Sequence, residues 1–254
     1  MRPYTRSLHP SDYEFLPHVA DLRAFEREMY LDRTPHREWH EHRLWEYGSI
    51  MQQLQQLCVS SDCELIDVGA GASFFDPFLA RWYPRLCCTD SMKYGDVTSM
   101  VEAQRARYNV ALPLYDLMLE DMSPRHDVGW GGATDKFDVT MCISTIEHVD
   151  DHDAAFRELV RITKPGGLIF ITSDYFRDAA QWEASPSRHL QVTPYMKEFV
   201  LDLTRFGVEF VGETDLDYRG DFVHSYSFVN ICLRKPTAAS TPGSNQPGDN
   251  GKAE

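Results

Sequence analysis

The residues able to do chemistry in this chain are a few acidic, glycine and histidine positions. Asp67 lies inside a short apolar run, Leu65-Ile66-Asp67-Val68, which breaks at Gly69 and Gly71. The pattern reads as a buried strand ending in a tight turn whose backbone is bare of side chains. A ligand can approach such a turn closely, and its N–H groups suit an anionic group. Asp90 closes a second apolar run, roughly twenty residues after the glycines, a spacing that places a carboxylate within reach of ribose hydroxyls. Ser91 and Met92 follow it. Ser144 follows a third run, and Glu147-His148 comes just after. A neutral imidazole there can take a proton from a substrate hydroxyl, because its ordinary pKa lies near neutrality. His148 is therefore one catalytic candidate, and His189, in a long covering segment, is the other.

Two nucleotide-binding patterns compete for the glycine turn. A dinucleotide-binding fingerprint needs a third glycine three residues after Gly71, where this chain has Phe74. Its acidic residue also follows the glycines, whereas Asp67 precedes them. Strand-Asp-x-Gly-x-Gly instead resembles the first motif of class I S-adenosylmethionine (SAM)-dependent methyltransferases. Leu86-Cys87-Cys88-Thr89-Asp90 is similar to their second strand. Residues 137–149, FDVTMCISTIEHV, resemble the fourth strand and its following turn. Residues 156–172, FRELVRITKPGGLIFIT, resemble the next helix, a Pro-Gly-Gly turn and the fifth strand. The ordered motifs span residues 63–175 and are most similar to the small-molecule enzymes of ubiquinone and menaquinone biosynthesis.

The resemblance implies SAM as cofactor and gives the residues roles. Gly69 and Gly71 would lie under the methionine half, with Asp67 accepting from its ammonium. Asp90 would accept both ribose hydroxyls, with Ser91 and Met92 bordering the adenine. The family usually has Asp at the end of the third strand, where this chain has Met118-Leu119. Asp121, beside Met122, is taken for the adenine amine, with Asp116 the alternative. Ser144 would face the methionine amine and the methyl group. The expected activity is methyl transfer to a hydroxyl, or second to an amine, of a small molecule such as a saccharide or secondary metabolite. The alternatives are a nicotinamide-dependent oxidoreductase, disfavoured by Phe74 and the lack of a Tyr-x-x-x-Lys pair, and a SAM-binding protein without turnover.

The elements that must hold these residues follow from periodicity. Residues 21–58 read as helical with a break near Thr34-Pro35, and Leu44, Tyr47, Met51, Leu54 and Cys58 fall on one face. Strands are expected near 63–68, 85–89, 111–118, 137–143, from 168, 208–215 and 225–234. Asp76-Pro77 reads as an N-cap and first helical residue, with Phe78, Leu79 and Trp82 inward. A helix should begin at Thr193-Pro194 and close at Gly207. The expected fold is α/β: a Rossmann-like, seven-stranded, mostly parallel sheet with helices on both faces and an antiparallel terminal strand. Residues 1–58 form an N-terminal helical cap, with 1–20 irregular, 59–235 the SAM-binding domain, and 236–254 a disordered tail poor in apolar residues.

Composition sets the remaining bounds. A formal charge of −14 over 254 residues disfavours a phosphate-backbone partner, so no nucleic acid is expected. No stretch is long and apolar enough to span a membrane, and no basic-then-apolar leader opens the chain, so a cytoplasmic location is expected. The six cysteines offer no CxxC pair and read as reduced thiols. His36 and His40 share a helix face, but without a further ligand they read as part of a solvated helix or cap, and no metal is expected.

Overall fold

The computed structural model describes residues 4–9, 12, 16, 18–29, 41–71, 73–92, 97–117, 119, 133–186, 188–190, 193–220 and 226–237. In chain order, β1 (Thr5–Ser7), α1 (Val19–Met29) and α2 (Glu41–Gln56) precede β2 (Leu65–Val68), α3 (Phe75–Leu79) and β3 (Leu86–Asp90). Next come α4 (Thr98–Tyr108), β4 (Leu114–Asp116), β5 (Phe137–Ile143), α5 (His152–Ile162) and β6 (Thr163–Tyr175). The chain continues through α6 (Ala179–Ala184), α7 (Lys197–Asp202), β7 (Glu209–Phe210), β8 (Thr214–Asp215) and β9 (Ser227–Arg234).

One sheet joins them in the order β4-β3-β2-β5-β6-β9-β1-β8, with β7 also paired to β9. The β4-to-β6 half is parallel. Strand β9 runs antiparallel to β6 along its length, from Leu168↔Arg234 to Tyr175↔Ser227. Strand residues alternate between two cores, as a sheet covered on both faces requires. Leu65, Val139, Met141, Leu168 and Phe170 pack with α1 to α4. Ile66, Cys142, Ile169, Ile171 and Ile231 pack with α5 and α7 around Phe156, Leu159 and Val200. Each fully buried Ile, Leu or Phe contributes about 1.5–3 kcal/mol.

Among the described residues the sheet has nine strands rather than the expected seven. Gly212, at φ +69, interrupts 208–215 and leaves the two short strands β7 and β8. Strand β1 comes from the segment read as irregular. Its Thr5-Arg6-Ser7 sequence is polar yet buried, so it carries no apolar alternation. Side-chain bonds replace that signal. Thr5 Oγ1 donates to the Cys232 carbonyl and accepts from its N–H, and Arg6 pairs with Asp12 at 2.6 Å. The N-terminal segment thereby shares the main sheet.

Five local expectations are corrected. Strand β6 begins at Thr163, so Pro165-Gly166-Gly167 lies inside the strand, beside a register shift in β5. Trp82 is 51% exposed, because α3 ends at Leu79 and helical spacing no longer governs it. Helix α7 starts at Lys197 rather than 193, although Gly207 does close the following turn in a left-handed conformation. Asp76 is not an N-cap: it lies within the first turn of α3 and faces inward. Of the helix-face residues, Leu44, Tyr47, Met51 and Leu54 are buried, while Cys58 is exposed beyond the end of α2. The histidines His36 and His40 and residues 238–254 of the tail lie outside the described residues.

Candidate active site

The parallel strands β2, β3 and β5 carry their chemistry at their carboxyl ends, where such sheets bind ligands. Asp67 and Asp90 end neighbouring strands, and Ser144 follows β5 on the other side of β2. Gly69 and Gly71 both adopt positive φ, at +75° and +59°. A Cβ on Gly69 would come 2.1 Å from Thr145 Cγ2, so only glycine fits beneath the loop after β5. Thr145 Oγ1 donates to the Gly69 carbonyl at 2.8 Å and ties that loop to the turn. A Cβ on Gly71 would meet nothing within 4 Å. The turn therefore opens at Gly71, where a ligand has room.

Asp90 bridges the two turns of the cleft. Its Oδ2 accepts from the Gly71 N–H and its Oδ1 from the Met92 N–H, each at 2.8 Å. Met92 takes a left-handed φ of +53°, and with Ser91 it borders this carboxylate. Gly69 and Ala70 donate their N–H groups to the Thr89 carbonyl. The turn's N–H groups are thus engaged by the protein, which corrects the expectation that they are free for an anion. What the turn offers instead is carboxylate oxygen with lone pairs to spare.

Asp67 is 1% exposed, and its Oδ1 has no hydrogen-bond partner. Burial, then the neighbouring charge of Asp76, pushes its carboxyl well above the usual range. Asp76 is buried against it and is raised to about 7 by burial. Burial together with the neighbouring carboxyl favours the protonated form in this pair, as expected of paired carboxylates out of water. Asp76 is a residue that sequence reasoning assigned to the wrong role. The available signal was an acid amid Phe74, Phe75, Phe78 and Leu79, all of which turn inward.

A second polar cluster lies beside Ser144. Its Oγ donates to Glu46 Oε1 at 2.5 Å, and Glu46 Oε2 accepts from Arg43 Nη1 at 3.1 Å. Glu147 faces Arg43, Glu46 and Asp174, and burial raises its carboxyl to about 8. Asp174 is also pushed well above the carboxylate range, by burial and then by Glu147 and Glu46. Helix α2 is anchored over this region by Tyr47, which stacks on Phe75 at 4.5 Å and bonds Ser73. Arg43 and Glu46 drew no notice in the sequence, since a charge within Arg43-Leu44-Trp45-Glu46-Tyr47 reads as the solvated side of a helix.

Residues 66–171 match the family described as a methyltransferase domain. This chain carries a class I SAM-dependent methyltransferase domain. Solved structures share the fold at low identity. A candidate sarcosine dimethylglycine methyltransferase from Galdieria sulphuraria aligns with TM-score 0.62 and 13% identity, over 87% of this chain and 99% of that one. The magnesium protoporphyrin IX methyltransferase of Synechocystis PCC 6803, determined with bound S-adenosylhomocysteine (SAH), gives 0.59 and 11%, over 88% and 97%. The [4+2]-cyclase SpnF gives 0.56 and 14%, over 76% and 84%.

The methyltransferase domain has residues that fit its cofactor. The partnerless Asp67 Oδ1 is a buried acceptor suited to an ammonium, and the space beyond Gly71 leaves the backbone open to close approach. Asp116 pairs in register with Asp90 across β3 and β4. Asp121 and Met122 lie outside the described residues. The two histidines differ in setting. His148 is partly exposed, with Nε2 4.0 Å from Glu147 Oε1. His189 is exposed, and its Nδ1 lies 2.8 Å from the Pro186 carbonyl, within its own segment. Among the described residues, no group of three His, Cys, Asp or Glu side chains is disposed to hold a metal, and no helix is long and apolar enough to cross a membrane.

Proposed function

We propose that this protein transfers the methyl group of SAM to a hydroxyl or amine of a small-molecule acceptor, of the saccharide or secondary-metabolite kind. The observation that carries the reading is the joint placement of Asp67, Gly69, Gly71 and Asp90 around one opening at the strand ends. In this reading Asp67 takes the methionine ammonium, Asp90 the ribose hydroxyls, and Ser91 and Met92 border the adenine. Asp116 beside Asp90, or Asp121, takes the adenine amine. The segment 1–58 serves as a cap over the cleft, with 59–235 as the catalytic domain. A cytoplasmic enzyme without nucleic-acid partners agrees with the charge of −14.

When bound, SAM supplies an activated methyl that the acceptor's nucleophile attacks as the carbon–sulfur bond breaks, its electron pair staying on sulfur. The protein's task is to align the nucleophile behind that methyl and keep water out. Ser144 and Thr145 shape the wall of the cleft by binding Glu46 and Gly69. His148 is the nearer of the two proposed bases to this wall, as it follows Glu147 on the same turn.

SpnF shares this fold and is described as a cyclase, so the fold leaves the reaction open and the test must read both binding and turnover. Calorimetry with SAH, SAM and NAD should show binding of the first two and none of NAD. Incubation with methyl-labelled SAM and a library of small alcohols and amines should move label into an acceptor. Binding of NAD in preference to SAH would overturn the reading.

A further inference from the structure

Three carboxylates and one guanidinium meet beside Ser144, and only some of their oxygens are used. Glu46 has both oxygens bonded, one to Ser144 Oγ and one to Arg43. Asp174 bonds the Tyr226 side chain. Glu147 differs: it is 1% exposed and its Oε2 has no partner. Against these three carboxyls Arg43 sets a single guanidinium. A buried acceptor left without a donor is costly and uncommon, and persists where a ligand completes it.

The position of the cluster is informative. Thr145, which with Ile146 separates Ser144 from Glu147, holds the Gly69 carbonyl, so the cluster adjoins the cofactor turn. Asp174, at the end of β6, and Arg43 and Glu46, on α2, close it from two other sides. Arg43 keeps about a third of its side chain exposed, while Glu46 beside it is fully buried.

We propose that Glu147, with Asp174 beside it, binds a protonated amine of the acceptor, making this protein an N-methyltransferase of an amine-bearing small molecule. The inference rests on the methyltransferase reading and narrows its acceptor. A neutral hydroxyl would complete one hydrogen bond but leave three carboxyls sharing one guanidinium, whereas an ammonium completes the bond and also lets Glu147 ionise beside it. The bound ammonium gives one proton to the Glu147 carboxylate, which frees the nitrogen lone pair. That nitrogen then bonds to the methyl carbon as the carbon–sulfur bond breaks. The products are the N-methylated ammonium and SAH, with the released proton held by Glu147. Burial favours the protonated carboxyl and so assists this transfer.

The test uses the full chain saturated with SAH. Calorimetry would compare aliphatic and aromatic primary amines, namely benzylamine, phenethylamine, putrescine and ethanolamine, with the alcohols of the same skeletons. At least one amine should bind about tenfold or more tighter than its alcohol. Glu147→Gln keeps the shape and should cost that amine about tenfold or more while leaving SAH affinity unchanged; Asp174→Asn should weaken it in the same direction. No amine exceeding its alcohol, or unchanged amine binding by Glu147→Gln, overturns the proposal. So does equal weakening of SAH, because Glu147 would then serve the cofactor. Failure of the parent protein to bind SAH would instead refute the methyltransferase reading itself.

Discussion

Replacing Asp90 by Ala should damage both the cofactor site and the turns that build it, in separable amounts. In the protein the carboxylate accepts one N–H from Gly71 and one from Met92, each at 2.8 Å. Hydrogen bonds to a charged group are worth about 1.5–3 kcal/mol each, but Asp90 is only partly buried and water can replace part of that. About 1 kcal/mol per bond gives a loss of ~2 kcal/mol in stability, or about 4–8 °C in Tm for a domain of this size. Binding should suffer on top of this. Losing charge-assisted bonds to the ribose hydroxyls costs about 1.5–3 kcal/mol, roughly ten- to a hundredfold in SAH affinity. Asp90→Asn should show both losses in milder form. Its amide can accept only one of the two N–H groups and sets a donor against the other. Urea unfolding and calorimetry with SAH, both well below the melting range, give the two numbers. Full SAH affinity in Asp90→Ala would show that Asp90 holds the turns and never touches the ribose.

Other outcomes follow from single positions. Gly71→Ala should cost only about 1–2 kcal/mol in stability, the strain of a left-handed residue, yet abolish measurable SAH binding by filling the opening. Gly69→Ala should destabilise more strongly, since its Cβ would overlap Thr145; equal stability of the two variants by urea unfolding would refute this account. His152 is buried against Tyr195, and burial lowers its pKa from 6.5 to about 4. The unfolded chain therefore takes up that proton first, so stability should fall by up to ~3 kcal/mol as pH drops from about 6.5 to 4. His152→Gln should lose that dependence relative to the parent in urea titrations at about pH 7 and 5. Glu147 behaves oppositely: burial raises its pKa from 4.5 to about 8, so its contribution falls as pH rises through that window. Glu147→Gln should consequently become the more stable protein above about pH 8, by about 2–4 kcal/mol; no gain would mean that the carboxyl is solvated.

The sequence by itself determined the parallel half of the sheet and the cofactor turn. Those elements are local. Leu65–Val68 alternates between the two cores, and the positive φ of Gly69 and Gly71 requires residues without a Cβ. Asp90 and Ser144 were placed for the same reason, each ending a strand whose apolar run is visible along the chain. Pairing across distance was left to the tertiary structure. Nothing in Thr5-Arg6-Ser7 is apolar, and its place beside β9 rests on bonds to Cys232 and Asp12. The turn of Asp76 toward Asp67, and of Glu46 toward Ser144, depends on how α3 and α2 dock on the strand ends. A carboxylate in a helix reads as solvated until packing encloses it. Only then does burial raise its pKa and leave an oxygen, as at Glu147, waiting for a donor.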